Sequence, residues 1–313
     1  HDAEMERYVD YLLKEASLYA PVFAGQECES IYLGGGTPTH LPSALLQRLI
    51  DGLTRRFRLA PGAEFTIESA PGSIPEDKLL LLKHLGVNRL SYGIQTLDEQ
   101  LLAGLNRNYT VAGAKEELRN AVRIIGNVNI DTMYGFEGES AHALLDTLRE
   151  FVTLGVPCVS IYALDGQRCN SDRAKDMPAR DAQYDRKIEI YRAARDYLAG
   201  NGFRPVLQNI FLQPERASYK HQLRRWENLP LVALGISSTG YAPRRLYHNQ
   251  LGIKVWAEKL DRGELPVMEW EDLTPENEIM REVVGQLRFT EVNLAPIRAK
   301  YATHLSEDHH DQT

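Results

Sequence analysis

The chain changes hydrophobic period repeatedly along its first half. Residues 3–20 repeat apolar side chains at helical spacing, which predicts an amphipathic helix. The apolar face of that helix comprises Met5, Tyr8, Val9, Leu12, Leu13 and Ala16. Short apolar runs typical of buried strands then alternate with longer amphipathic stretches. The predicted strands are 30–33, 64–68, 89–95, 128–135 and 158–164. The predicted helices between them are 42–57, 75–85, 97–125 with a break near 106–110, and 140–154.

This alternation predicts an α/β fold made of βα units around a parallel sheet, in the manner of a (β/α) barrel. The rhythm changes after residue 165, so we expect one domain over 1–165 and a second region over 166–313. The second region is predicted to hold a helix over 181–200, a sixth strand over 203–211, an irregular stretch over 213–247, and helices near 250–262 and 275–287. Because no strand precedes the opening helix, the barrel would lack its first strand, and we expect further residues upstream of His1.

Composition and charge narrow the possible partners. The 313 residues carry a net charge of −7 and no basic stripe, which argues against a nucleic-acid partner. The longest apolar runs, such as 79–82, are too short to cross a bilayer, and we expect no membrane partner. Three widely spaced cysteines, Cys28, Cys158 and Cys169, predict a reducing, cytoplasmic location. Cys158 lies in a strand-like run and is predicted to be a buried core thiol.

The run GGGTP at 34–38 follows a predicted strand and is the strongest single signal of a binding site. Consecutive glycines let a ligand approach the backbone without interference from Cβ atoms. No Gly-Lys-Ser/Thr follows, which excludes a phosphate-binding P-loop, and Thr39 stands where a dinucleotide fingerprint requires its third glycine. A tight turn without a ligand is the alternative reading of this motif alone.

Polar residues end or follow the next predicted strands. They are Glu68 in IESAP, Gln95 in RLSYGIQ, Arg107 in LNR and Asp131 in NIDTMYG. Because ligands bind at the C-terminal rim of a (β/α) barrel, we expect these side chains around one mouth. Two carboxylates, an amide and a guanidinium suit a ligand with a ribose, an amino group and a carboxylate.

The series GGGTP, IESAP, RLSYGIQ, LNR, NIDTMYG and SIYAL, in this order and spacing, resembles the oxygen-independent coproporphyrinogen oxidase family of radical S-adenosylmethionine (SAM) enzymes. That family also includes haem chaperones, class C radical SAM methyltransferases, cyclopropane-forming enzymes and anaerobic haem-degrading enzymes. The resemblance covers residues 1–165 and continues more weakly through Trp226, GISSTGY (235–241) and YHN (247–249). It implies a partial (β/α)6 TIM-like barrel with a smaller mixed C-terminal domain.

The resemblance also implies the cofactors and their contacts. Members bind a [4Fe–4S] cluster and one or two SAM molecules, and they cleave SAM reductively to a 5′-deoxyadenosyl radical. An electron donor such as a flavodoxin or ferredoxin is the expected protein partner. The residues expected to hold SAM are Gly34, Gly35, Gly36 and Thr37 at its methionine portion, Glu68 beside a SAM, Gln95, Arg107 and Asp131 at its carboxylate and ribose, and Tyr162 or Ala163 near its adenine.

One departure from the family is plain, because the CxxxCxxC motif that binds the cluster is absent from the sequence. The motif should stand just before the opening helix. Truncation or disorder would account for both the missing strand and the missing cysteines, so we expect the cluster ligands upstream of His1. A degenerate member without a cluster is the alternative, and it would explain the cysteines only.

The sequence indicates the type of reaction more clearly than it indicates the substrate. We expect a conjugated molecule, either a tetrapyrrole or an aromatic natural product, with methyl or methylene transfer from a second SAM as one option. The stretch DGQRCNSD (165–172) favours a specialised member, such as a class C methyltransferase or a haem-degrading enzyme. Coproporphyrinogen III decarboxylation and tetrapyrrole ring opening are alternatives. The wall residues proposed for the substrate are Gln208, Trp226, Arg244, Arg245 and Tyr247, with the two arginines facing substrate carboxylates. Surface arginines and a core tryptophan are the competing readings.

A non-catalytic haem carrier is the second hypothesis, as the family's chaperones suggest. It requires an axial ligand such as a histidine. His40, His221 and His248 are candidates in predicted loops, and no spacing selects one of them.

Overall fold

The computed structural model describes residues 2–105, 109–136, 139, 141–164 and 177–302. Arg107, Cys169 and the stretch at 165–172 therefore lie outside the described residues. The described helices are α1 (Asp2–Tyr19), α2 (Ser43–Arg56), α3 (Glu76–His84), α4 (Glu99–Ala103), α5 (Val111–Ile124), α6 (Ala141–Thr153), α7 (Met177–Gly200), α8 (Lys220–Trp226), α9 (Ile253–Asp261), α10 (Pro275–Gln286) and α11 (Ala295–Lys300). The described strands are β1 (Glu27–Leu33), β2 (Arg58–Ser69), β3 (Arg89–Gly93), β4 (Val128–Tyr134), β5 (Cys158–Ala163), β6 (Arg204–Leu207), β7 (Ile210–Leu212), β8 (Thr239–Ala242), β9 (Arg245–Asn249) and β10 (Val267–Asp272).

Seven of these strands form one sheet in the order β1-β2-β3-β4-β5-β7-β6. The strands β2 to β5 pair in parallel, and β7 then pairs antiparallel with both β5 and β6. Helices connect the successive parallel strands, as βα units require. This mixed α/β arrangement confirms the predicted fold class and its partial barrel.

The hydrophobic core lies on one face of the parallel strands. Ile67, Leu90, Val128 and Val159 are all fully buried there. Side chains alternate between the two faces of a strand, so a continuous apolar row on one face leaves the other face to polar residues. That polar face carries the candidate site described below.

Two predictions for the second half of the chain were wrong in detail. The sixth strand predicted over 203–211 is a hairpin, because residues 208–209 turn and send β7 back antiparallel to β6. The stretch 213–247, predicted to be irregular, contains α8, β8 and β9. With β10, which was not predicted, β8 and β9 form an antiparallel sheet in the order β10-β9-β8. Hydrophobic periodicity gives no signal for β10, because every residue of this strand after Val267 is exposed.

The chain divides into two compact units. The first unit draws on His1–Ile31, Leu41–Glu64 and Tyr219–Thr313, and the second on Tyr32–His40 and Phe65–Ser218. Every described residue predicted to hold SAM belongs to the second unit. Neither unit begins or ends at residue 165, and a domain boundary there stays a prediction. No helix among the described residues is both long and apolar enough to cross a membrane.

The first unit is organised around a buried carboxylate that sequence periodicity did not predict. Glu15 of α1 is fully buried. Its carboxylate accepts hydrogen bonds from the Gly235 backbone N–H at 2.8 Å, Asn249 Nδ2 at 2.6 Å and Trp256 Nε1 at 3.1 Å. Burial raises the pKa of Glu15 to about 6, although these hydrogen bonds oppose the shift. The motifs at 235–241 and 247–249 thus contribute partners to a structural network.

Candidate functional site

The glycine run after β1 lies against Glu68 at the end of β2. Glu68 Oε2 accepts a hydrogen bond from the Gly35 backbone N–H at 3.0 Å, and Oε1 accepts one from Tyr32 Oη at 2.6 Å. Gly35 has a φ of +104°, a conformation that side chains rarely adopt. A Cβ atom at Gly34 would lie 2.5 Å from Tyr32 Cε1 and 2.8 Å from Glu68 Cδ. The loop therefore requires glycine at both positions to approach the carboxylate.

The remaining loop residues lead into a short turn. Gly36 is exposed, and a Cβ atom there would meet nothing within 4 Å. The carbonyl oxygen of Thr37 accepts a hydrogen bond from the His40 backbone N–H at 2.9 Å and begins the 3-10 turn Pro38–His40. Gly36 therefore leaves its side of the loop open to a ligand.

Three buried hydroxyl groups anchor this turn. Thr39 Oγ1 lies 3.0 Å from Ser69 Oγ, to which it donates, and 2.7 Å from Ser73 Oγ. All three residues are less than 9% exposed. Lys78 Nζ also donates to the Thr39 carbonyl oxygen at 2.7 Å. The end of β2 and the following loop therefore fix the position of the glycine run.

The polar face of the parallel strands presents a continuous layer beside the loop. Register places Ser91, Asn129 and Cys158 side by side, and Asp131 beside Ser160. Asn129 Nδ2 donates to Ser91 Oγ at 3.0 Å, and Asn129 Oδ1 accepts from both Ser160 Oγ at 3.0 Å and Cys158 Sγ at 3.1 Å. Cys158 is fully buried, which confirms its predicted role as a core thiol.

Asp131 stands above this layer, level with the last residue of β3. Its carboxylate accepts hydrogen bonds from Ser91 Oγ at 2.8 Å and Asn129 Nδ2 at 3.0 Å. Burial raises the pKa of Asp131, while these hydrogen bonds and the nearby Arg89 guanidinium oppose the shift. The fold therefore holds a carboxylate in a fixed orientation at some electrostatic cost, which is typical of binding and catalytic groups.

Gln95 is fixed to the neighbouring strand just past the end of β3. Its backbone carbonyl accepts hydrogen bonds from Thr132 Oγ1 at 2.8 Å and the Met133 backbone N–H at 2.9 Å. Its side-chain Oε1 accepts a longer bond from Tyr109 Oη at 3.4 Å. Glu68, Gln95 and Asp131 thus come from three adjacent strands and meet at one rim, as predicted for the C-terminal ends of parallel strands.

The two residues predicted near an adenine point in opposite directions. Tyr162 pairs with Met133 in register and shares the face of Asp131, whereas Ala163 pairs with Tyr134 and lies on the other face. Tyr162 is 42% exposed, and burial of its ring together with the Asp131 charge raises its pKa to about 12. Of the two, only Tyr162 presents a side chain to the candidate site.

A further carboxylate at this rim was not predicted from the sequence. Glu139 is buried and accepts hydrogen bonds from the Gly135 backbone N–H at 2.5 Å and the Phe136 backbone N–H at 3.0 Å. It fixes the chain directly after β4. Its acidic sequence context, FEGES at 136–140, is indistinguishable from a solvated loop, so periodicity gave no signal for it.

Several of the residues proposed to line the substrate site, and two of the three candidate haem ligands, are buried or engaged by neighbouring side chains. Trp226 is half-buried, Tyr247 is buried, and Arg245 pairs with Asp272. His221 and His248 were predicted to lie in loops, and this prediction was wrong. His221 belongs to α8 with its Nδ1 2.9 Å from Ser30 Oγ, and His248 belongs to β9 with its Nδ1 3.0 Å from Thr239 Oγ1. His40 alone of the three candidates is exposed.

The described residues fit SAM but not an iron–sulfur cluster. A glycine loop against a carboxylate, followed by Gln95 and Asp131, matches a ligand with an amino group, a carboxylate and a ribose. Within the described ranges, no three His, Cys, Asp or Glu side chains are grouped to hold a metal ion. Cys28 is half-buried on β1 and Cys158 is buried on β5.

Comparison with known proteins agrees with this reading. Residues 1–151 match the radical SAM superfamily. The heme chaperone HemW of Lactococcus lactis is 28% identical over 78% of this chain and 64% of its own length. HemW of Escherichia coli is 29% identical over 74% of this chain and 61% of its own length, so the chain spans less than two thirds of either chaperone. Oxygen-independent coproporphyrinogen III oxidase of Escherichia coli is 26% identical over 96% of this chain and 69% of its own length.

The solved structure of coproporphyrinogen III oxidase (HemN) from Escherichia coli matches 98% of this chain and 75% of that chain, with a TM-score of 0.80 and 23% identity. This likeness shows a shared fold. Residues 1–151, a little under half of the chain, are similar to the radical SAM superfamily, whose members use SAM and a [4Fe–4S] cluster. The similar proteins are oxygen-independent coproporphyrinogen III oxidases and haem chaperones, which agrees with the resemblance found in the motif series.

Proposed function

We propose that the chain binds SAM at the C-terminal ends of β1 to β5 and supports its reductive cleavage, with a tetrapyrrole as the substrate. When bound, SAM supplies the 5′-deoxyadenosyl group with which radical SAM enzymes abstract hydrogen. The observation that carries the proposal is the convergence of Glu68, Gln95 and Asp131 beside a glycine loop that has no room for a Cβ atom at Gly34.

Each residue has a role that its contacts support. Glu68 already accepts the Gly35 N–H and offers its carboxylate to the ammonium group of SAM. Asp131, oriented by Ser91 and Asn129, accepts hydrogen bonds from ribose hydroxyls. Tyr162 lies on the same face, at the position proposed for the adenine. Arg107, outside the described residues, is proposed to pair with the SAM carboxylate.

The choice of a tetrapyrrole rests on the relatives. Those described above are named as a coproporphyrinogen oxidase and as haem chaperones. The proposal therefore takes a porphyrinogen-type substrate in preference to methyl transfer onto an aromatic product. A flavodoxin or ferredoxin is the proposed electron donor, since reductive cleavage needs one electron for each SAM.

Anaerobic reconstitution with iron and sulfide tests the enzymatic proposal, and it uses the full-length protein that carries the family's CxxxCxxC motif, because the printed residues lack that motif. We expect 5′-deoxyadenosine from SAM under dithionite, with more formed when coproporphyrinogen III is present. Asp131→Asn should reduce its formation at limiting SAM and recover part of it at high SAM. A reconstituted protein that binds SAM but forms no 5′-deoxyadenosine would contradict the enzymatic proposal.

A haem carrier is the second candidate, because the two HemW relatives are named as haem chaperones. His40 is the axial ligand this candidate favours, since it is exposed beside the glycine run whereas His221 and His248 contact hydroxyl groups. Haem titration followed by absorbance distinguishes the two functions. A Soret shift that His40→Ala abolishes and His248→Ala preserves, without SAM cleavage, would favour the carrier.

A further inference from the structure

A small pocket in the first unit is lined by two arginines from different helices, Arg225 of α8 and Arg281 of α10. Its other walls are Leu229, Leu231, Thr239, Gly240 and Tyr241. The enclosed volume is about 20 Å³ and the pocket is partly open to solvent, so a small group can enter it while the rest of a ligand stays outside. It lies apart in sequence from every residue proposed to bind SAM.

The guanidinium of Arg281 is held in place from two sides. Its Nε donates to Asn228 Oδ1 at 2.7 Å, and its Cζ lies 5.1 Å from the centroid of the Tyr241 ring. Asn228 is only 7% exposed and has a φ of 55°, in the left-handed region that asparagine tolerates better than most residues. The hydroxyl of Tyr241 is itself engaged, since it donates to Glu278 Oε1 at 2.7 Å. Arg281 is therefore oriented in advance of any ligand.

The two pocket arginines have different surroundings, since Arg225 is exposed and Arg281 is half-buried. Arg224 pairs with Glu29 and Glu227, and Arg262 pairs with Glu264. Among the described residues, neither Arg225 nor Arg281 forms an ion pair within 4.0 Å.

The charged form of Arg281 is disfavoured by its burial and by the nearby Arg225. Burial lowers the pKa of Arg281, and repulsion from Arg225 lowers it further, while Glu271 offsets part of the shift. Two neighbouring cations without an ion-pair partner are stabilised by an anion that binds between them. A planar carboxylate matches the fork geometry of a guanidinium and needs less room than a tetrahedral phosphate.

We propose that this pocket binds the carboxylate group of an organic acid. Arg225 and Arg281 hold its two oxygens, Thr239 supplies a hydroxyl donor, and Leu229 and Leu231 contact the adjoining carbon atoms. The sequence had offered Arg244 and Arg245 as candidate carboxylate ligands, with surface arginines as the competing reading. Arg245 instead pairs with Asp272, and the structure assigns that chemistry to Arg225 and Arg281.

A side-chain NMR titration of the whole protein tests the proposal. Sodium acetate is added against sodium chloride at constant ionic strength, and the Arg281 Nε–H and Trp226 indole N–H resonances are followed. Trp226 is a suitable reporter because Arg225 Cζ lies 5.6 Å from its ring centroid. We expect saturable shifts with a dissociation constant on the order of millimolar. Arg225→Gln should weaken binding by about tenfold or more, since a charged hydrogen bond is lost.

Arg262→Gln is the matched control, because it removes an exposed arginine of the same unit that already has an acidic partner. It should leave acetate binding unchanged. Arg281→Gln is a second test, read only after its melting temperature shows that the protein is folded. A shift that grows linearly without saturation, or one that Arg225→Gln leaves intact, would overturn the proposal.

The carboxylate can belong to a free acid or to a tetrapyrrole, and a second arm separates these sources. Coproporphyrin III that displaces acetate, and binds more weakly to Arg225→Gln, would support the pocket with a tetrapyrrole as its ligand. Saturation by acetate without displacement would support it with a free acid. Inorganic phosphate that binds more tightly than acetate would overturn the assignment to a carboxylate. None of these readouts requires SAM, so they do not depend on the proposed function.

Discussion

Gly34 and Gly36 belong to one loop but have different surroundings, and this contrast separates a packing role from a binding role. Gly34→Ala adds a Cβ atom into contact with Tyr32 and Glu68, so we expect it to lower the free energy of unfolding by about 1 to 3 kcal/mol. Gly36→Ala adds a Cβ atom into open space and should leave the melting temperature unchanged. Thermal denaturation of the ligand-free protein measures both effects.

The same pair tests whether SAM lies against the loop. Gly36→Ala should weaken SAM binding by about tenfold or more, since the added methyl group occupies space that the ligand needs. Equilibrium dialysis with labelled SAM measures this affinity. Unchanged SAM affinity in a folded Gly36→Ala protein would show that the ligand does not approach the backbone there.

The substitution Asp131→Asn should affect protein stability and SAM binding in opposite directions. Because burial raises its pKa, the ionised carboxylate is disfavoured in the folded state, and Asp131→Asn should leave stability equal or higher. The same change should weaken SAM binding by about tenfold or more, because a ribose loses a charged acceptor. Urea denaturation and SAM titration measure the two effects. Lower stability with unchanged SAM affinity would assign Asp131 a structural role.

Most residues of the candidate site could be proposed at the residue scale, because glycines and isolated polar residues at strand ends stand out in a sequence. Glu68 and Asp131 were found in this way, and the structure places both at the rim. Glu15 and Glu139 were missed because an acidic residue in a helix or loop looks like ordinary surface. Their burial depends on backbone and indole N–H groups brought from distant or irregular segments.

At the scale of elements, Glu15 couples α1 to β9 and α9 and makes the first unit sensitive to pH. Its folded pKa of about 6 lies above the ordinary value of 4.5, so its full contribution to stability is present below pH 4.5. That contribution decreases as pH rises through 6, by about 2 kcal/mol for a shift of this size. Urea denaturation between pH 4.5 and 7 should show the decrease in wild type.

Glu15→Gln provides the comparison for this pH effect, because it removes the titrating group while keeping the shape of the side chain. The difference in unfolding free energy between wild type and Glu15→Gln should change by about 2 kcal/mol across that range. The Trp256 indole N–H resonance should move with the same midpoint, since it donates directly to Glu15. Parallel stability curves for the two proteins would contradict the assignment.

The buried hydroxyl groups of Thr39, Ser69 and Ser73 lead to a second prediction at the scale of elements. Thr39→Val keeps the shape of the side chain but removes its hydrogen bonds to Ser69 and Ser73. We expect a loss of about 1 to 2 kcal/mol in unfolding free energy, since two buried hydroxyls lose a partner. SAM affinity should also fall, because the turn that holds the loop is loosened. Ser17→Ala, on the exposed face of α1, is the control, and equal effects of both changes would contradict this role.

At the scale of the whole molecule, the two compact units differ in how well the sequence predicted them. The second unit consists largely of βα units whose strands and helices alternate in period, and its elements were predicted to within a few residues except for the β6–β7 hairpin. The first unit combines α1 and α2 with segments from the last third of the chain, and no local pattern announces that association. Short antiparallel strands such as β8 and β10 form through partners rather than through their own periodicity.

The central claim is that the rim formed by Glu68, Gln95 and Asp131 binds SAM. The most direct test is isothermal titration of SAM into the wild-type protein and into Asp131→Ala. We predict saturable binding at one site of the wild-type protein and a loss of about tenfold or more in Asp131→Ala, with both proteins folded. Binding that Asp131→Ala leaves unchanged, or no binding to the wild type, would contradict the claim.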